Sequence, residues 1–251
     1  MVNTIIIGLG QIGQLYDYNF TSDKFNLTHA QALCSDSRYN LLAGIDSDSN
    51  RRTMFHSKFQ RPVFANIHEL SKVESPELVV IATPPDTHQG ILNEVLCALR
   101  PRAILCEKPI SHNLHETNSM FSACENLGVD IFVNFIRRTD PAILELKSII
   151  TKELGTSRFN GFCWYCKGLY NTASHFMDVF QFLFGTPRSW NFRRKANYKN
   201  QNNDPQVDFK ISFIDGDIEF KSVPNGKFFY NRFELIFENF TVSYQQNGDL
   251  H

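Results

Sequence analysis

The first half of the chain alternates between two hydrophobic periods. Residues 4–7 (TIII) form a β-branched run ending in glycine, which reads as a buried parallel strand. Residues 40–45 (NLLAGI), 77–82 (ELVVIA), 103–106 (AILC) and 129–133 (VDIFV) read the same way. Between them, residues 28–34, 49–58, 87–99 and 114–127 carry apolar positions at helical spacing. Strands alternating with helices at this spacing predict right-handed βαβ units and a doubly wound α/β sheet.

After about residue 135 the rhythm changes. Residues 141–154 predict a helix with Pro141 in its first turn, and 159–165 a strand. Residues 172–184 predict a second helix, closed by Gly185 with Pro187 just beyond. The remainder reads as strands over 190–196, 207–213, 217–222, 232–237 and 241–244, with Asp215-Gly216 as a hairpin turn. A domain change is therefore expected near residues 134–140. A doubly wound domain (1–135) would precede an α+β domain (136–251) with a mostly antiparallel sheet and one or two helices.

Composition narrows the class without naming a function. Hydrophobic residues make up 42% and charged residues 20% of 251, which excludes a disordered chain. A net charge of −1 leaves no electrostatic footprint for nucleic acid or an anionic membrane. No apolar run approaches the roughly 20 residues that span a bilayer. The opening MVNTIIIGLG lacks the features of a signal peptide, so a cytoplasmic location with six reduced cysteines is expected.

Gly8-Leu9-Gly10-Gln11-Ile12-Gly13 is a G-x-G-x-x-G directly after the first strand, the context that a dinucleotide site requires. Gly8 permits the tight turn, Gly10 lets the backbone approach a pyrophosphate, and Gly13 allows close helix–strand packing. The following helix start faces the phosphates. Asp46, at the end of the second strand, can accept hydrogen bonds from the adenosine ribose and repel a 2′-phosphate, which favours NAD. Arg51 and Arg52 stand close enough in sequence to leave NADP open. Residues 14–27 read as an insertion that lengthens the usual spacing of about 20 residues to the acidic position. A Rossmann domain binding NAD(P) is the resulting expectation.

Three further patches end parallel strands: Thr83-Pro84-Pro85 with His88, Glu107-Lys108-Pro109, and Asn134-Phe135-Ile136-Arg137-Arg138. Ligands bind at such strand ends in open α/β sheets. With the glycine motif, and with the segment 167–178 (KGLYNTASHFMD), these patches resemble the glucose–fructose oxidoreductase / inositol dehydrogenase family over roughly residues 3–190.

The resemblance implies a dehydrogenase acting on a sugar, sugar nucleotide or polyol. It makes Lys108 the catalytic lysine and His175 the acid/base. Where the family has an aspartate four residues before that histidine, this chain has Asn171, whose amide cannot take a proton. Asn171 is left to orient a substrate hydroxyl or the imidazole, or to cap the helix. Asn171, His175 and Asp178 share one helix face by spacing, with Asp178 a structural partner. The start of that helix presents N–H groups and a partial positive charge suited to an alkoxide or a carboxylate.

In the expected reaction His175 removes the hydroxyl proton and Lys108 steadies the oxygen beside the nicotinamide. Thr83, Pro84, His88, Glu107 and Lys108, with Gly8, Gly10, Gln11, Ile12, Gly13 and Asp46, are expected on the cofactor side. Arg137 is expected to grip an anionic group of the substrate, along with Asn171 and His175. The alternative is a dinucleotide-binding sensor or scaffold without turnover, which Asn171 keeps open.

The Asn-Thr-Ala-Ser-His wording is similar to family members that serve surface-polysaccharide synthesis. Family members are typically longer, so the resemblance implies a compact version or a missing end. Cys163 and Cys166 lie on a predicted strand, which points them to opposite faces and leaves them structural, with no second pair for zinc. The 23 phenylalanines suggest a large aromatic core and an apolar sheet face for homo-oligomers through the C-terminal sheet.

Overall fold

The computed structural model describes residues 1–20, 26–72, 75–154, 157–195, 204–224, 230–245 and 248–251. It divides into two compact units, Met1–Asn134 and Phe135–His251.

The first unit is a parallel sheet of β1 (Val2–Ile7), β2 (Tyr39–Ile45), β3 (Val63–Phe64), β4 (Leu78–Ile81), β5 (Ala103–Cys106) and β6 (Asp130–Val133). Its order is β3-β2-β1-β4-β5-β6. Side chains alternate between its faces, as the two-residue period of a strand demands. Ile6, Leu41 and Val80 pack with Ala30 and Leu33 of α1 (His29–Ser35) and with Phe55 of α2 (Ser49–Phe59). Ile5, Ile7, Val79 and Ile81 turn the other way, toward Leu92 and Val95 of α3 (His88–Ala98) and Met120 of α4 (Leu114–Asn126). The strand order reverses at β1, which opens a crevice at the carboxyl ends of β1 and β4.

Helix starts follow their capping residues. Thr28 accepts from the Gln31 N–H, Asp48 from Asn50 and Arg51, and Asn113 from His115. The short strand β3 goes beyond the pattern read from sequence; two residues are too few to show a period. The expected insertion, residues 14–27, follows from a wide helical turn, Gln11–Leu15, that starts within the glycine motif and is closed by i→i+5 hydrogen bonds. It is fastened at its far end by Asp17, which is buried and accepts from the Leu27 N–H, the Thr28 N–H and the Thr28 hydroxyl. Residues 21–25 of that insertion lie outside the described residues, as does residue 196, the expected end of a strand.

The second unit is a mixed, mostly antiparallel sheet of β7 (Phe159–Tyr165), β8 (Ser189–Lys195), β9 (Val207–Ser212), β10 (Gly216–Ser222), β11 (Arg232–Phe237) and β12 (Thr241–Gln245), ordered β12-β11-β7-β10-β9-β8. Within this second sheet only the β7–β10 pair is parallel among the described strands. The Asp215-Gly216 turn joins antiparallel β9 and β10, with the Phe213 N–H donating to the Gly216 carbonyl at 2.8 Å.

Helices α5 (Pro141–Ile149) and α6 (Ser174–Phe184) contribute Ile143, Leu146, Phe176, Val179, Phe180 and Leu183 to one core with the sheet. Asp140 caps α5 ahead of Pro141. Two details depart from the sequence pattern. The end of the first predicted helix is a wide turn, Ile150–Leu154, and the second helix begins as one, Leu169–Ala173, before turning α-helical at Ser174.

Phe180 stands at the centre of the ring cluster, 5.0 Å from Phe233 and 5.7 Å from Phe220, both edge-on. Cys163 and Cys166 are both buried and unoxidised, and burial pushes the Cys163 thiol well above its ordinary range. Phe180→Ala is expected to destabilise the second unit by about 3–5 kcal/mol, read from denaturant unfolding. A loss under about 1 kcal/mol would show that the cluster is not a packed core.

Candidate active site

The turn after β1 is built almost without side chains. Gly8 has φ +97°, and a Cβ there would stand 2.7 Å from the Ala82 carbonyl carbon. A Cβ on Gly13 would stand 2.1 Å from the Gly8 carbonyl oxygen. Both are closer than atoms can approach, so this backbone path exists only with glycine at each position. The Leu9 N–H donates to Asp46 Oδ2 at 2.8 Å, which ties the turn to the end of β2. Gln14 is buried and donates to the carbonyls of Leu9 and Arg51.

These contacts leave a cleft of about 660 Å³ at the carboxyl ends of the strands. Of the residues expected at the cofactor, Gly8, Gly10, Gln11, Ile12, Asp46, Thr83 and Pro84 line it together. Gly13 packs beneath the turn against Gly8. Asp46 is nearly buried, and its carboxylate accepts from Leu9 and Asp48 N–H groups, with Arg51 Nη1 at 3.5 Å. Arg51 lines the cleft; Arg52 is held by the carbonyls of Asp46 and Ser47 at 2.7 and 2.8 Å.

His88, Glu107 and Lys108, expected on the cofactor side, are not among the residues lining the cleft. His88 is fully buried, with Nδ1 3.0 Å from the Ile110 carbonyl and Nε2 2.8 Å from the Thr83 carbonyl. It braces the ends of β4 and β5 from below. Glu107 Oε1 takes hydrogen bonds from His29 Nε2 at 2.9 Å and Asn134 Nδ2 at 2.7 Å, while Oε2 accepts the Lys108 N–H at 3.2 Å. Lys108, half-buried, is the second residue beyond β5.

In the second unit, Asn171 is exposed in the wide turn and His175 is half-buried in the first turn of α6, edge-on to Phe135 at 6.0 Å. The wide turn means that Asn171, His175 and Asp178 do not share the face of a single regular α-helix. The cap of this segment is Asp204. Its two oxygens accept the Tyr170 N–H at 2.9 Å and the Asn171 N–H at 2.8 Å, so the anion expected at the helix start is a carboxylate of the protein itself. Gly168, at φ +108°, makes room for it: a Cβ there would stand 2.2 Å from Asp204 Cγ.

Arg137, expected on the substrate, is held inside its own unit. Its guanidinium donates to the Tyr244 hydroxyl at 2.9 Å and lies 4.9 Å from the centre of the Phe176 ring. Arg138 grips Asp178 with two hydrogen bonds of 2.6 and 2.7 Å, which makes Asp178 a structural partner.

Sequence reading missed His29, Asp17 and Asp204. His29 carried a signal, as the histidine directly after the capping Thr28, but nothing in the letters pairs it with a residue 78 positions away.

Burial, the largest single influence, raises the Glu107 carboxyl, but the hydrogen bonds from His29 and Asn134, the His29 charge and the Lys108 N–H together hold the group below the ordinary glutamate range. A lowered folded-state value stabilises the protein above the unfolded value and loses that effect as pH falls through the folded one. The stability gap between the protein and Glu107→Gln is therefore expected to be full at neutral pH and to close in acid. A gap unchanged down through the glutamate range, measured by denaturant titration at several pH values, would contradict this linkage.

Comparison with known proteins agrees with the geometry. Residues 2–135 match the model of an oxidoreductase family with an NAD-binding Rossmann fold. An uncharacterized oxidoreductase of Schizosaccharomyces pombe is 26% identical over 206 residues, covering 75% of this chain and 53% of the relative. Myo-inositol 2-dehydrogenase of Thermotoga maritima is 26% identical over 145 residues, 58% of this chain and 39% of the relative. The chain thus spans about half, or less, of the length of these curated relatives.

Among solved structures, a putative myo-inositol dehydrogenase from Sinorhizobium meliloti superposes with a TM-score of 0.80 at 20% identity, covering 98% of this chain and 76% of that one. The WlbA dehydrogenase from Bordetella pertussis, solved with NADH and UDP-GlcNAcA, gives 0.78 at 17% identity, covering 96% and 73%. At these identities the likeness is one of fold. The glycine turn, the acidic residue at the end of β2, the strand order and the family match over more than half of the chain lead to one conclusion: the chain belongs to the glucose–fructose oxidoreductase / inositol dehydrogenase family of NAD-binding Rossmann-fold oxidoreductases.

Proposed function

We propose that this chain is an NAD-dependent dehydrogenase that moves a hydride between the nicotinamide and a secondary alcohol or ketone of a sugar, sugar nucleotide or polyol. The observation that carries this reading is the cleft that gathers Gly8, Gly10, Gln11, Ile12 and Asp46 at the ends of β1 and β2. A Cβ on Gly10 would meet nothing nearer than Arg51 Nη1 at 3.8 Å, so the bare backbone of this cleft-lining residue leaves open space for a diphosphate to approach. Asp46 places a carboxylate where a ribose hydroxyl can donate and a 2′-phosphate would be repelled, which supports NAD over NADP.

NAD, when bound, supplies a hydride acceptor. The chain supplies the rest. His175 takes the hydroxyl proton, a role that suits an imidazole near neutral pH. The Lys108 ammonium donates a hydrogen bond to the same oxygen and stabilises negative charge as it develops. Asn171, with an amide in place of an acid, orients a neighbouring hydroxyl. Lys108 belongs to the first compact unit and His175 to the second.

A carbohydrate-type substrate is supported by the inositol dehydrogenases among the relatives and by the nucleotide sugar bound in the Bordetella structure. A role in surface-polysaccharide synthesis belongs to the same proposal. Among the described residues no helix is long and apolar enough to cross a membrane, and a reducing cytoplasm suits the six free thiols. Self-association is assigned to the sheet face opposite the helices, where Phe162 and Ile236 are exposed and Phe162 stacks on Trp164.

The test is a fluorescence assay of nicotinamide reduction over a panel of sugars, sugar nucleotides and polyols with both cofactors. Lys108→Ala and His175→Ala are each expected to lower kcat about 10²- to 10⁴-fold while NAD binding is retained. Turnover unaffected by either variant would refute the assignment of roles. Tight NAD binding with no turnover anywhere on the panel would favour a sensor.

A further inference from the structure

The insertion after the glycine turn holds one side chain that the dinucleotide reading does not use. Tyr16 closes the wide turn Gln11–Leu15, its N–H donating to the Gln11 carbonyl at 3.0 Å. The wider turn adds a residue relative to an α-turn and so resets the direction of the side chain that ends it. Tyr16 lines the same cleft as Gly10, Gln11, Ile12 and Asp46.

The residues around it are fixed, and Tyr16 is not buried with them. Gln14 is pinned to Leu9 and Arg51 carbonyls, and Asp17 holds the N–H groups of Leu27 and Thr28. The Tyr18 hydroxyl donates to the Met54 carbonyl, and Lys58 donates to the carbonyls of both Asp17 and Tyr18. Each of these bonds ties the insertion to α1 or α2 or to the turn itself. Between them Tyr16 stays 57% exposed on a cleft wall, an apolar ring on a firmly held backbone. A large exposed aromatic in a concave site is the kind of group that gains most from covering a ligand.

We propose that Tyr16 is a cofactor-binding residue supplied by the insertion, its ring packing on the bound dinucleotide. The inference rests on the cofactor reading given above and adds a contact that the glycine motif does not contain. The ring and not the hydroxyl is assigned the effect, because Ile7, Ile12, Ile45, Ile67 and Ile91 line the same cleft and give it apolar wall beside its polar groups. The role of the insertion is then to present this ring, and its anchoring through Asp17 is what keeps the ring in place.

Calorimetric titration of the full chain with NAD tests this without needing a substrate. Tyr16→Ala is expected to raise the dissociation constant about tenfold, and Tyr16→Phe to stay within about threefold of the original. Because Tyr16 is exposed, the thermal unfolding of both variants without NAD should match that of the original chain. Binding by Tyr16→Ala within twofold of the original would overturn the inference and leave the dinucleotide site standing. A loss in Tyr16→Phe as large as in Tyr16→Ala would overturn the assignment to the ring. If the unaltered chain takes up no NAD, both this inference and the cofactor reading fall together.

Discussion

The first unit depends on one close approach of backbone to backbone. The Gly8 carbonyl and Gly13 come so near that any side chain on Gly13 would overlap the oxygen, and Gly8 itself lies against the end of β4 in a conformation that L-residues rarely adopt. This packing lets the chain leave β1, reverse, and start a helical turn within a few residues, with its first N–H groups toward the cleft. Asp46 fixes the same turn from β2 through the Leu9 N–H. Three strand ends are thereby registered around one space by hydrogen bonds and steric contact.

A second theme is that most charged groups near the expected site act on the protein and not on a ligand. Glu107 is held by His29 and Asn134, Arg138 by Asp178, and Arg137 by Tyr244 and the Phe176 ring. Asp204 fills the helix start ahead of His175. Buried or half-buried charges need such partners, since an unpaired charge out of water is costly. In the first unit Glu107 holds the Lys108 N–H, and in the second Asp204 holds the N–H groups of Tyr170 and Asn171 ahead of His175.

Much of this was legible in the letters. The glycine motif after a β-branched run gives the turn, and the period-two strands of Ile, Leu and Val give the parallel sheet, because local sterics and burial decide both. What was not legible involves distance or the absence of a local signal. His29 with Glu107, Asp17 with Thr28 across the insertion, and Asp204 with Asn171 are brought together only by the fold. The wide turns at Gln11–Leu15 and Leu169–Ala173 have no distinctive residue pattern, yet they set where Tyr16 and Asn171 stand. Nor do the letters show the internal partners of Arg137 and His88, a tyrosine hydroxyl and an aromatic face for the one and two backbone carbonyls for the other.

The central claim is that the cleft at the ends of β1, β2 and β4 is the dinucleotide site. A crystal structure of the full chain with NAD tests it most directly. It should place the diphosphate against the backbone of Gly10, Gln11 and Ile12, with a ribose hydroxyl on Asp46 and no displacement of the Gly8–Gly13 turn. A dinucleotide seated elsewhere, or a turn that must rearrange to admit it, would contradict the account.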